Sequence, residues 1–379
     1  MQSKLVFFIV LLVTLPLSVH AEIVKQLFET SLPVTSQDQE VRQVAFEQGF
    51  REILVRVSGS SETPSQLNIQ AASRYVQQYR YFSVEKKIEP KATEVDQLEP
   101  KYRLWIQFNE SKIINLLKQS SLSVWGAQRP KVLLWLSVKD GRNRYILREK
   151  DMSVIKEAAE KEARRRGLPI AWPIYDEVDK KQVTFFDISG QFWGPVSQAS
   201  LRYSVDAIVL CRMSWDGSIW HVDWSLKLDE QTSSKRVQEA DLDMLMAQGI
   251  DFVADQVAGR FAVVDDIMDE GHVVIQINGV EDVDTYSRVM HYLSSIASVK
   301  HIFPLEFDQD WVKFYLDLSG NEKDLQRLIS LGRVLDRVEL PEIVTRPQPG
   351  DQAASGKIMN TSQNPSDKIE DKTLFYKIR

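Results

Sequence analysis

The stretch LRYSVDAIVLCRMSWDGSIWHVDW, residues 201 to 224, constrains this chain more than any other part of it. Asp216-Gly217 lies between two runs of alternating polarity, and Asp-Gly is the strongest short hairpin signal because a two-residue primed turn needs positive φ at both positions. With a turn of that length, Met213 faces Trp220, Cys211 faces Val222, Val209 faces Trp224 and Ala207 faces Leu226. Side chains alternate along a strand and opposed residues share a side, so all eight belong to one apolar face. The other face carries Arg212, Ser214, His221, Asp223, Ser225 and Lys227, with only Ile208 and Leu210 apolar. Cys211, the only cysteine of the chain, is in this register a small core hydrophobe beneath a helix. A reactive thiol would need an exposed, electropositive setting.

A single cysteine leaves no internal disulfide, which matters because the chain opens like an exported one. MQSKLVFFIVLLVTLPLSVHAE has one lysine, an apolar run broken by Pro16, and Val19 and Ala21 at the spacing signal peptidase accepts. The run is shorter than a membrane span. We therefore expect cleavage after Ala21, a periplasmic location and no transmembrane span in the mature chain. The 379 residues carry a net charge of −6, far from the concentrated positive charge that phosphate backbones demand, so no nucleic-acid partner is expected.

Periodicity divides the rest into an N-terminal α+β unit over residues 22–128, a middle α/β unit with an antiparallel hairpin over 129–265, and a C-terminal unit over 271–340. In the first, Ser36 and Gln39 read as a capping box. Phe46, Phe50, Ile53, Leu54 and Val57 line a helix stopped by Gly59, with Ala45 and Gly49 permitting close approach to a sheet. A second helix is expected through Ala71, Ala72, Tyr75, Val76 and Tyr79, then a hairpin of residues 81–88 and 102–108 and a helix Glu110 to Gln119. In the middle unit KVLLWLSV reads as a strand buried on both faces, followed by a helix Ser153 to Arg166, a strand LPIAWPIYD, the opening hairpin and a long apolar-sided helix after Leu242. The third unit has the βαββαβ order of a ferredoxin-like domain, with helices Asp282 to Ser298 and Asn321 to Gly332. Residues 341–379 are polar and rich in turn formers, and are expected to be a disordered tail with a TLFYKIR remnant.

No phosphate-cradling glycine loop, zinc-ligand helix or nucleophile elbow is present, so no catalytic residue, cofactor or metal ligand is assigned. His221 and Asp223 lie two apart on the polar strand face without a third member. Asp176, Glu177, Asp179 and Asp187 offer oxygens but not the spacing of a calcium loop, and read as a solvated loop. Of the nine tryptophans, only Trp125, Trp172, Trp193 and Trp215 are left by this reading to line a glycan groove. The expected interaction surface is the hairpin's polar face and turn: Arg212, Trp215, His221, Asp223 and Lys227.

The runs LPVTSQDQEVRQVAFEQGFREILVRVSGS, SRYVQQYRY, RPKVLLWLSV, RRRGLPIAWPIYD and ASLRYSVDAIVLCRMSW closely resemble the Gram-negative envelope proteins grouped as domain of unknown function 2066. That family implies no reaction and no catalytic residues. VDAIVLCRM, a hairpin ending in KLDEQTSSKRV and the helix GIDFVADQVAGRF are similar to the amino-terminal domain of TolB and related envelope lipoproteins, where this module docks partners. The expectation is a non-catalytic periplasmic adaptor with an envelope protein as partner. A peptidoglycan or glycan binder is the alternative, and a hydrolase near Asp176, His221 and Asp223 the third possibility.

Overall fold

The structure is a computed structural model that describes residues 22–84, 100–264, 271–338 and 373–379. The expected leader and most of the expected tail lie outside these residues. The chain is a mixed α/β molecule with several sheets.

The first unit contains β1 (Glu22–Ile23), β2 (Glu29–Val34), α1 (Gln39–Ser58), two 3-10 turns (Thr63–Gln66 and Ile69–Arg74), β3 (Val76–Ser83), β4 (Tyr102–Phe108), α2 (Glu110–Gln119), β5 (Ser123–Val124) and β6 (Gln128–Arg129). Its sheet has the order β2-β4-β3, antiparallel throughout. Phe50, Ile53 and Leu54 of α1 are buried with Leu104, Ile106 and Phe108 of β4 in one cluster. Gly49 makes that approach possible, since a Cβ there would lie 2.9 Å from the Thr30 methyl.

Two expectations fail here. Ser36 forms no capping box; it donates to Asp38, which occupies the cap position without a side-chain bond to the helix. The expected second helix is only the 3-10 turn Ile69–Arg74, because Val76 onward pairs with β4. The β-branched and aromatic Val76, Tyr79, Tyr81 and Phe82 suit that pleated edge.

The middle unit contains β7 (Val132–Asp140), β8 (Asn143–Ile146), α3 (Val154–Arg166), β9 (Ile170–Ala171), α4 (Glu177–Gln182), α5 (Phe185–Ser189), α6 (Trp193–Ser200), β10 (Ala207–Trp215), β11 (Trp220–Leu228), β12 (Gln231–Glu239), α7 (Leu242–Phe261) and β13 (Val263–Val264). The sheet order is β12-β11-β10-β7-β8, with β9 beside the start of β7. β7 and β10 are parallel, and β7 is buried on both faces as its apolar run requires. Helices α3 and α7 pack on one face, while α5 and α6 cover Leu133, Trp135 and Leu210 on the other. The expected strand LPIAWPIYD shrinks to Ile170–Ala171, since Pro169 and Pro173 bracket it and cannot donate to a ladder.

The hairpin register differs from the expectation by two residues. Cys211 faces Trp224, Met213 faces Val222, Val209 faces Leu226 and Trp215 faces Trp220. The cause is Asp216, whose Oδ1 accepts from the N–H groups of Ser218 at 2.9 Å and Ile219 at 3.0 Å and so builds a four-residue turn. Gly217 alone takes positive φ, at 110°. Because two is even, every side chain keeps its expected face. Cys211 and Trp224 are fully buried in the main cluster with α7. That helix lies so close that a Cβ on Gly249 would be 2.1 Å from the Trp224 ring.

The third unit contains β14 (His272–Asn278), α8 (Val283–Ser294), β15 (Val299–Phe307), β16 (Trp311–Leu318), α9 (Glu322–Gly332), β17 (Leu335–Arg337) and β18 (Thr373–Ile378). Its sheet order is β15-β16-β14-β18-β17. The tail expectation is corrected: residues 373–378 form a strand inside this sheet, parallel to β14 and antiparallel to β17. Alternation accounts for it, since Leu374, Tyr376 and Ile378 join the core. The middle and third units also share one apolar cluster, with α7 packed against α9, so their cores are not separate as the sequence division implies.

Candidate functional site

A recess of about 770 Å³ lies in the middle unit between β8, the turn that follows it, the start of α3, and α4 and α5. The short β8 leaves room for it, because only Ser137 to Asp140 of β7 pair with that strand. Beyond it the chain is pinned: Leu147 N–H donates to Leu136 O, and Arg148 donates to Asp151 at 3.0 Å from both its backbone N–H and Nε. The Arg148 guanidinium holds the Asp151 carboxyl below the usual range. Ser153 then caps α3 by accepting from Ile155 N–H. Ile146 and Leu147 are buried at the recess, whereas Met152 is fully exposed and Val154 and Tyr145 are exposed at its rim. The Arg144 guanidinium lies 5.7 Å above the ring of Phe186, itself 64 % exposed. A second recess of about 280 Å³ shares Arg148, Tyr175 and Lys180 with the first. Ile174, Val178, Phe192 and Leu201, from the α4–α6 layer and its connections, are also exposed. Exposed apolar side chains at the rim of a concavity, here Met152, Val154 and Tyr145 with Ile174 at the adjoining recess, are the usual mark of a docking surface.

The acidic segment beside it is helical and not a solvated loop, and three of its four carboxylates are committed to structure while Glu177 stays exposed. Asp176 caps α4 by accepting from Val178 N–H at 3.1 Å and Asp179 N–H at 3.2 Å. Arg202 donates to Asp176 at 2.7 and 3.0 Å and holds its carboxyl well below the usual range. Asp179 is fully buried and accepts from Arg202, Tyr175 N–H and the Tyr203 hydroxyl. Burial and that carboxylate both push the Tyr203 hydroxyl up. Asp187 closes a capping box with Thr184. Among the described residues no group of three or more His, Cys, Asp or Glu side chains could hold a metal ion.

The hairpin's polar face brings Arg212, His221, Asp223 and Lys227 to one side, as alternation dictates. Asp223 lies between Arg212 at 3.0 Å and Arg236 at 2.6 Å. Partial burial raises its pKa, but the two guanidiniums outweigh that and lower it overall. His221 bonds Asp216 at 2.7 Å, so the imidazole is oriented by the turn and not by Asp223. Trp215 goes to the opposite face, where its ring centroid is 5.0 Å from that of Trp220. The five expected contact residues therefore do not form one patch. The polar face does meet the end of α5, through Arg212 to Ser189 O and Gln191 to Asp223 O.

Of the four tryptophans left for a groove, Trp125 and Trp172 are buried, the latter donating to Glu160 at 3.1 Å. Trp193 packs against the second core of the middle unit. Burial pushes the Cys211 thiol well above its ordinary range, consistent with a packing role.

Sequence reasoning missed Arg129. Its guanidinium is fully buried, 3.9 Å from the Trp125 ring centroid, and donates to five carbonyls: Trp125 O, Gly126 O, Arg56 O, Arg166 O and Gly167 O. Arg56 lies in the last turn of α1 and Arg166 ends α3, so one cation faces the negative ends of two helices from different units. Arg166 extends the junction to Asp251 and Asp255 at 2.7 Å each, and to Gly59 O.

A family model described as Domain of unknown function (DUF8605) matches residues 21–126, the span of the first unit. No curated protein and no solved structure matches the chain.

Proposed function

We propose that this chain is a non-catalytic adaptor of the Gram-negative cell envelope, exported behind a leader cut after Ala21 and acting in the periplasm on a protein partner. The observation that carries the reading is the 770 Å³ recess rimmed by Met152, Val154 and Tyr145, with Phe186 beneath Arg144 nearby. Side chains able to do chemistry nearby are engaged elsewhere: Asp176 and Asp179 by Arg202, His221 by Asp216, Asp223 by two arginines. Around the first recess the exposed Met152, Val154 and Tyr145 stand beside Arg144 and Lys180, suited to an extended apolar segment that carries acidic residues.

Two further readings support a docking role. The middle unit, with its parallel β7–β10 pair, antiparallel β10–β11–β12 meander and closing helix α7, is in our reading kin to the TolB amino-terminal module. The third unit we read as a ferredoxin-like βαββαβ unit enlarged by β18. Both are analogies of topology, and the role rests on the recess itself.

The test is crosslinking in living cells with Met152→Asp and Phe186→Asp combined. Both side chains are exposed, so the thermal midpoint should stay within a few degrees, while a crosslinked partner seen with the wild type should be lost. A folded double variant with an unchanged crosslinking pattern would remove the recess as the docking surface.

A further inference from the structure

We propose that the gap between β14 and β17 is a strand-acceptor site, and that β18 passes through it from one copy of this chain to another. β18 separates two strands that do not touch across it: Val274 to Asn278 pair with Thr373 to Lys377 on one side, and Leu335 to Arg337 pair with Ile378 to Tyr376 on the other. Since β18 is parallel to β14 and antiparallel to β17, those two strands are mutually antiparallel. That is the orientation in which they can pair directly, so the sheet has a second way to close when β18 leaves.

The connection is the second argument. Antiparallel neighbours in a sheet are ordinarily joined by about 2 to 5 residues. Here β17 and β18 are separated by the roughly thirty-four residues 339–372, and that length drawn out spans on the order of 110 Å. A tight hairpin would forbid a strand to reach a neighbouring molecule, whereas this spacing permits it.

The third argument is the grip on the strand. Tyr376 is buried, but its hydroxyl has no hydrogen-bond partner among the described residues, which weakens insertion. Leu374 and Ile378 are only partly buried, and Lys377 is exposed. At the end of the strand Arg379 donates to Asp336 at 2.6 Å and from its backbone N–H to Val334 O. A second copy offers the same strand and the same slot, so a reciprocal exchange reproduces every one of these contacts. The balance is then set by concentration, since the strand of the same chain competes at an effective concentration that dilution does not change. The resident strand therefore wins in dilute solution, and exchange grows where copies are crowded.

Gln276 and Phe375 are paired in register and are both half-buried, which provides a trap in the whole chain. Gln276→Cys and Phe375→Cys would be made in separate chains, mixed at about 100 µM and treated with a short bis-maleimide, with the wild type as control for the buried Cys211. A covalent dimer should accumulate with time in the mixture only, while a chain carrying both substitutions closes on itself. Internal closure with no dimer from the mixture overturns exchange, and failure of internal closure overturns the slot. Independently of any variant, a labelled peptide of residues 373–379 should be retained by the wild-type chain through gel filtration, increasingly up to about 1 mM. Absence of retention at that concentration also counts against the proposal.

Discussion

Replacing Arg129 by Met removes the cation that joins the ends of α1 and α3 while keeping much of the volume stacked on Trp125. Five carbonyls lose their donor. A buried acceptor left without a partner costs about 1 to 3 kcal/mol, less where the carbonyl keeps a second bond. Two helix ends also lose a facing positive charge, which contributes up to about 2 kcal/mol in partly buried geometry. Against this stands the relief of a strained cation, for burial, aided by Arg56 and Arg166, pulls the Arg129 pKa well below its ordinary value. The net loss should be about 3 kcal/mol, at the lower end of what breaking a buried charged network costs. Urea unfolding followed by tryptophan fluorescence reads the total. Hydrogen exchange at residues 55–59 and 163–168 reads the location, and both segments should lose protection together. Arg129→Lys keeps the charge but not the fork of donors, so it should be nearly as unstable as the Met variant. An Arg129→Met protein within about 1 kcal/mol of wild type, or full rescue by Lys, would refute the reasoning.

Gly249→Ala should destabilise by about 3 kcal/mol despite the better helix propensity of Ala, because the new methyl meets the Trp224 ring; a more stable variant in chemical denaturation would contradict the packing. Cys211 should label with a thiol reagent only on unfolding, and Cys211→Ala should cost about 1 to 2 kcal/mol; fast labelling of the folded chain would show the strand to be open. The Asp176 carboxyl is held well below its usual range by Arg202. The unfolded chain therefore binds that proton first, so the stabilisation is present above about pH 4 and fades as pH falls below it. Asp176→Asn should accordingly flatten the acid limb of a thermal midpoint profile between about pH 5 and 2, and an unchanged slope would exclude the pair as an acid-sensitive tie.

Local pattern was a good guide where one face of one element decides the outcome. The buried stripe of α1, the close approach at Gly49 and the two faces of the Asp216-Gly217 hairpin all follow from spacing. Turn length did not, because Asp-Gly marks where a chain reverses but not how many residues the Asp216 carboxylate gathers. The third strand of the first sheet was hidden by Ala71 and Ala72, whose helical spacing runs on into residues that pair with β4. Nothing near Arg129 announces its role, since its five acceptors come from three separate segments that meet only in the folded chain. The recess was equally silent, being made of a loop, a strand edge and two short helices. β18 was obscured by the polar residues before it, although TLFYKI alternates as a strand should.

β14 and β18 carry a consequence for the order in which the chain is made. Val274 pairs with Thr373, so about a hundred residues must be synthesised and, if the chain is exported, translocated after β14 before its second edge can be satisfied. During that interval α8, β15, β16, α9 and β17 can all have formed, and β17 has the direction needed to occupy the vacant edge first. Maturation of the third unit then includes a step in which a late strand inserts beside an early one. Where β17 has taken that edge first, insertion must await its release.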